Sequence, residues 1–170
     1  TLSIVASFTP TGPFTASQGT STLTITQDPA SSVIQNGSFS SGAVGWQIYA
    51  TPDLSYIVSN VTNGVMEFYR VPPPPGESNQ AVVFQETGLA LAEDAPMTAQ
   101  FDLGNSSTVR KRISVLILEH DFSDITMCTF TLPANAPLRT YGMRTHSTNA
   151  WTNAAIYFYA ATEGSDGGFY

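Results

Sequence analysis

The strongest constraint on how this chain can fold is the spacing of its apolar residues between positions 97 and 118. Met97, Ala99, Phe101 and Leu103 alternate with Thr98, Gln100 and Asp102, the period of two that turns one face of a β-strand to a core. Gly104-Asn105-Ser106-Ser107 then supplies turn chemistry, because glycine tolerates positive φ and Asn and Ser can bond their own backbone. Beyond Arg110-Lys111-Arg112, the run 113–118 is apolar at nearly every position. A strand covered on both faces reads this way, so it belongs in mid-sheet. The expectation is a central pair of strands joined by a polar turn.

The same pattern predicts strands over 2–9, 20–27, 47–50, 55–59, 65–70, 81–87, 126–132, 138–145 and 153–160. The last of these is apolar on both faces and so central. No segment of helix length carries a helical period, apart from one turn near 89–93. Val71-Pro72-Pro73-Pro74-Pro75-Gly76 is too stiff for a ladder and should form an exposed arm. The fold class expected is all-β, an antiparallel β-sandwich.

Composition narrows the partners. A chain of 170 residues is long enough to bury a sizeable core. Its six Lys and Arg against thirteen Asp and Glu, net −7, give no basic field for nucleic acid or an anionic bilayer. No apolar run reaches membrane-spanning length, so insertion is not expected. Polar surface comes instead from Ser, Thr, Asn and Gly, which suits a secreted or cell-surface β-protein. Cys128 has no second cysteine to pair with, and its neighbours Met127 and Phe130 make it read as a small buried hydrophobe. Because the sequence opens at Thr1 and not Met, it should be processed or cut from something longer.

Two stretches carry resemblances. Residues 1–27, with Phe8-Thr9-Pro10 and the Thr/Leu alternation after Thr20, resemble the closing strands of bacterial immunoglobulin-like repeats. That resemblance implies the tail of a preceding repeat, or strands recruited for another use. Asn36-Gly37-Ser38-Phe39, followed by Gly45-Trp46, resembles the opening of the jelly-roll carbohydrate-binding modules found beside bacterial glycoside hydrolases. The similarity extends over 33–170 through Val65-Met66-Glu67-Phe68-Tyr69, Phe84-Gln85, Phe101-Asp102-Leu103-Gly104-Asn105 and Trp151-Thr152-Asn153-Ala154. It implies a jelly roll that binds a polysaccharide or a cell-surface glycan, within a large secreted bacterial protein.

In such modules Gly167-Gly168-Phe169-Tyr170 would lead into a final strand. An unfilled strand position leaves unpaired backbone groups beside an apolar groove. The first strand of the same chain could fill it, or that of a neighbouring copy; the second case gives the alternative function, a structural subunit forming a homo-polymer in which each copy's first strand completes the next copy's sheet. Leu2, Ile4, Val5, Phe8, Phe169 and Tyr170 would make that contact.

Candidate sites follow from chemistry. Sugar rings dock on flat aromatic faces, with amides, carboxylates and guanidinium groups bonding the hydroxyls. Tyr157 and Tyr159 share one strand face, and Tyr69, Tyr141 and Gln85 on other strands could join them, with Arg70 and Asp121 as polar partners. The alternative is that these tyrosines line the second side of a central strand beneath a loop or a neighbouring subunit. Trp46 and Trp151 are expected in the core. Glu119-His120-Asp121-Phe122-Ser123-Asp124 could hold calcium, or its carboxylates could cap a turn and leave His120 exposed. Calcium in the resembled modules uses an acidic residue just after the Asn-Gly-x-Phe motif, where this chain has Ser40, and an Asp in the last strand. No metal or other cofactor is therefore expected. There is no Gly-x-Ser-x-Gly elbow for a triad. Paired carboxylates for glycoside cleavage would need one in an apolar pocket; Glu67 and Glu86, on strands with apolar neighbours, are the nearest candidates and read as strand-face residues. The expectation is a non-catalytic domain.

Overall fold

The computed structural model describes residues 32–161 in full, and of the residues before them the backbone of two strands. The chain divides into two compact units, Thr1–Ser32 and Val33–Tyr170. In the first, β1 (Leu2–Phe8) pairs antiparallel with β2 (Ser17–Leu23), Leu2 opposite Leu23 and Phe8 opposite Ser17. The second strand thus begins three residues earlier than the Thr/Leu alternation suggested, within the looser Ser17-Gln18-Gly19 sequence.

The second unit is an antiparallel β-sandwich of jelly-roll type. Its strands are β3 (Gln47–Thr51), β4 (Ile57–Thr62), β5 (Val65–Arg70), β6 (Gln80–Glu86), β7 (Pro96–Asn105), β8 (Lys111–Glu119), β9 (Ile125–Leu132), β10 (Ala136–His146) and β11 (Ala154–Ala160). One layer is a five-stranded sheet in the order β3-β6-β11-β8-β9. The other consists of the β4–β5 hairpin and the β7–β10 ladder. Between them lies the main core, which joins Ala81, Val83, Ile113, Val115, Ile117 and Ile156 of the five-stranded sheet to Phe68, Leu103 and Met143 of the other layer.

Both apolar runs sit inside the five-stranded sheet: β11 at its centre and β8 between β11 and β9. Yet β7 and β8 are not partners. The alternating strand β7 pairs with β10, its Met97–Leu103 face turned to the core, while β8 belongs to the opposite layer. The polar turn between them is a crossing between layers. Asn105 fastens it: its buried amide donates to the carbonyls of Val109, Leu132 and Pro133 and accepts from the Ser107 N–H. Gly104 lies so close to β10 that a Cβ would sit 3.1 Å from the Ala136 carbonyl oxygen, beside an irregularity in the register between Ala136 and Arg139.

Two further expectations are corrected, and the Asn-Gly-x-Phe stretch takes a form of its own. Residues 33–39 are a series of turns. Asn36 and Phe39 there adopt φ of 48° and 52°, and the Asn36 amide closes the loop onto the Gly42 and Val44 carbonyls. Residues 54–56 form a short 3-10 turn started by Asp53, which delays β4. Cys128 is exposed, because β9 is the outermost strand of its sheet. Trp151 is buried, and Trp46 packs against the core, stacked on Phe39 at 5.1 Å.

Candidate functional site

The five-stranded sheet has a second face, and antiparallel register determines what stands on it, since directly opposed residues point the same way. Tyr157 is opposite Phe84 of β6 and Leu116 of β8; these in turn face Gln47 of β3 and Met127 of β9. One step along, Tyr159 is opposite Val82 and Ser114, which face Tyr49 and Thr129. The outward side therefore carries its own apolar cluster of Val82, Leu116, Leu118, Ala155 and Tyr157, with Phe84 and Tyr159 packed on it. Solvated β-sheet faces are normally polar. This one is aromatic.

Its rings form a connected series. Phe84 and Tyr157 stack at 4.4 Å, Tyr157 and Tyr159 at 6.2 Å, and Phe122 meets Tyr157 edge-on at 5.4 Å. Tyr157 is consequently only 6% exposed and forms the floor. Open contact area comes from its surroundings: Tyr49 at 48%, Phe122 at 45% and Met127 at 60% exposure. A shallow hollow of about 270 Å³ opens at the Tyr159 end, lined by Arg70, Gln80, Ser114, Leu116, Met127 and Tyr159. Burial, followed by the nearby charge of Glu86 and then Tyr159, pushes the Tyr157 phenol up to about 12. Burial, with a smaller contribution from Tyr49, also raises Tyr159. Both hydroxyls stay neutral in ordinary solution and can donate to, or accept from, an uncharged polar ligand.

Of the residues singled out from the sequence, Tyr157, Tyr159 and Arg70 meet at this face. Arg70 comes from β5 and its guanidinium donates to the Asn79 carbonyl oxygen. Tyr69, Tyr141 and Gln85 do not join them. Tyr69 and Tyr141 pack on the main core, Tyr141 edge-on to Phe130 at 5.2 Å. Gln85 is one residue out of phase with Phe84, so it points inward, where it is 2% exposed. There its amide accepts from the Gln35 N–H and donates to the Gln35 and Gly45 carbonyls, stapling the turn-rich loop to the sheet. Tyr49, Phe84, Phe122 and Met127 were not singled out. Strand alternation exposes Phe84 and Tyr49 to this face, but only cross-strand register brings them to Tyr157. Of the residues proposed for subunit contact, Leu2, Ile4, Val5 and Phe8 lie on β1, whose backbone pairs with β2. Phe169 and Tyr170 lie outside the described residues.

The acidic corner between β8 and β9 acts as a lock. Buried Glu119 accepts from the Thr152 N–H at 2.8 Å, the Thr152 hydroxyl at 2.7 Å and the Asn153 N–H, and it meets His120 Nδ1 at 2.7 Å. Asp124 accepts from the Thr148 N–H and from Trp151 Nε1. Burial alone would raise both carboxyls, but these donors outweigh it, and both lie below the usual carboxylate range. Asp121 bonds the Ser123 N–H and stays exposed next to Phe122, and His120 is exposed as well. Among the described residues no group of three or more His, Cys, Asp or Glu gathers as metal ligands do. Glu86 is exposed and accepts from the Asn153 amide.

No protein-family model and no curated protein matches the sequence. Among solved structures, the enzymatically active domain of tailspike protein 4 of bacteriophage CBA120 matches with a TM-score of 0.53 at 16% identity, over 81% of this chain and 20% of that one. This chain thus spans about a fifth of the tailspike chain. A CBM4 carbohydrate-binding module matches with a TM-score of 0.53 at 19% identity, over 76% of this chain and 89% of the module. TmCBM61, solved in complex with β-1,4-galactotriose, gives 0.45 at 11% identity, over 81% and 90%. At these identities what is shared is the fold: this chain has a β-sandwich architecture in common with the tailspike domain and the CBM4 module.

Proposed function

We propose that this protein is a non-catalytic carbohydrate-binding module of the secreted or cell-surface kind, and that a polysaccharide or cell-surface glycan docks on the outer face of the five-stranded sheet. The observation that carries this reading is the ring series Tyr159, Tyr157, Phe84 and Phe122, with exposed Tyr49 placed on the same face by register, on a side that the opposite layer does not cover. Flat rings offer the C–H faces of sugars a dispersion surface, and neutral phenols supply hydrogen bonds for the hydroxyls. Ser114, Gln80 and the Arg70 guanidinium add polar groups at the hollow. The shared architecture with a CBM4 module, over nearly its whole length, supports the same reading.

Affinity electrophoresis through gels containing soluble β-glucans, xylan, mannan or galactan, together with a glycan array, tests it. At least one glycan should retard the wild-type protein, and Tyr49→Ala with Tyr159→Ala should abolish that retardation. Leu138→Ala, exposed on β10 in the other layer, should leave it unchanged. Absence of retardation across the panel and the array overturns the proposal.

A further inference from the structure

A sheet edge presents a row of backbone donors and acceptors that templates pairing with another strand. Folded proteins blunt such edges with short strands, charges, prolines or bulges. The five-stranded sheet has two edges. One is β3, only five residues long. The other is β9, eight residues whose sequence Ile-Thr-Met-Cys-Thr-Phe-Thr-Leu holds no charge, proline or glycine. Its register with β8 runs without a shift from Leu132 to Ile125. Among the described residues no strand pairs with its outer side. Apolar exposure gathers here too, with Ile125 at 45% and Met127 at 60%, and Cys128 is exposed between Met127 and Thr129.

We infer that the β9 edge is a homotypic interface, on which a second copy of this chain docks its own β9 antiparallel to form one continuous sheet. Three features favour a second copy over a foreign strand. The edge carries no charge, so a copy of itself meets no like-charge opposition there despite the net charge of −7. The ends of the adjoining strand are complementary: Arg110 and Arg112 stand at the start of β8 and Asp121 just past its end. An antiparallel two-fold arrangement brings the basic end of one copy to the acidic end of the other. Finally, Met127 lines the hollow of the outer face and also lies on this edge, so pairing joins two such faces side by side.

Face parity sets the register. The outward residues Ile125, Met127, Thr129 and Thr131 of one copy must oppose outward residues of the other. Pro133, which lacks an N–H, ends the usable edge after Leu132. A two-fold axis at Cys128 meets both conditions, pairing Ile125 with Thr131 and Met127 with Thr129. It sets the two Cys128 residues directly opposite each other. Their Cα atoms would then be about 4.5–5.5 Å apart, within the range a disulfide bridges.

Sedimentation equilibrium of the full chain in reducing buffer tests the inference. The expected result is a species of twice the 18.2 kDa monomer mass, retained in Cys128→Ser and weakened by salt. Cys128→Lys should return it to monomer with unchanged circular dichroism, since two ammonium groups would face each other. Oxidation of the wild type with diamide, which takes up the two electrons and two protons of the thiols, should give a dimer stable to denaturant but not to reductant. A monomer at every concentration overturns the inference, as does a dimer that survives Cys128→Lys. Slow hydrogen exchange of the outward β9 amides in a monomeric sample, which would place a segment of the same chain there, overturns it equally.

Discussion

Phe84 and Tyr157 stack across the β6–β11 ladder with their ring centroids 4.4 Å apart and their planes 22° from parallel. The pair sits on the outer face of the sheet and makes Tyr157 a floor for the rings around it. Aromatic residues on this face thus divide into those that hold the platform flat and those, such as Tyr49 and Phe122, that present open surface. The two groups should respond differently to mutation.

Tyr49→Ala removes an exposed ring and should weaken glycan retention at least tenfold while shifting stability by under about 0.5 kcal/mol. Phe84→Ala should cost about 2–3 kcal/mol of folding stability, since it opens a gap beside Tyr157 and Val82. Urea unfolding and affinity electrophoresis run on both variants separate the two effects. Equal stability losses would dissolve the distinction.

Alkali should loosen this face. Burial favours the neutral phenol of Tyr157, so its folded pKa of about 12 lies above the roughly 10 of an unfolded chain. The stability it contributes is complete below about pH 10 and is lost as pH rises towards 12. Urea midpoints between pH 9 and about 12 should fall more steeply for the wild type than for Tyr157→Phe. Parallel curves would contradict the burial argument.

Acid acts at the opposite sign on the β8–β9 corner. The carboxyls of Glu119 and Asp124 are held below their unfolded values, so their contribution is present above about pH 4–5 and lost as pH falls through the folded values. Glu119→Ala leaves the Thr152 and Asn153 N–H groups without their acceptor and should cost about 1–3 kcal/mol at neutral pH. Its acid unfolding limb should also be shallower than that of the wild type, as read by fluorescence.

Gln85 is a structural residue, and its chemistry is directional. Its Nε2 donates to two carbonyls, so Gln85→Glu, nearly equal in shape, should destabilise by about 2–4 kcal/mol, more than Gln85→Met does. Thermal unfolding at pH 7 decides the order. If Met proves the worse replacement, the amide is not acting as a donor there.

The elements that were legible in advance are those whose own residues carry the signal. The alternation of Met97 to Leu103, the two apolar runs of β8 and β11, and the facing of Tyr157 and Tyr159 all follow from side-chain period within one strand. What failed depended on partners. The polar turn after Leu103 invited pairing of its flanking strands, but Asn105 bonds the Val109, Leu132 and Pro133 carbonyls and turns the chain into the other layer. Cys128 looked buried among Met127 and Phe130, because composition cannot say which strand ends a sheet. Gln85 looked like a ligand for sugar hydroxyls, because nothing local reveals the Gln35 and Gly45 backbone groups that engage it.

By itself the sequence determined the all-β class, the central place of its two apolar strands and the pair of tyrosines sharing one face, since each is written in a period of two along a single segment. Only the tertiary structure decided that Tyr49, Phe84, Phe122 and Met127 surround those tyrosines while Tyr69, Tyr141 and Gln85 turn away. Hydrogen-bond register between strands distant in the sequence sets which side chains become neighbours, and no pattern within one strand encodes it.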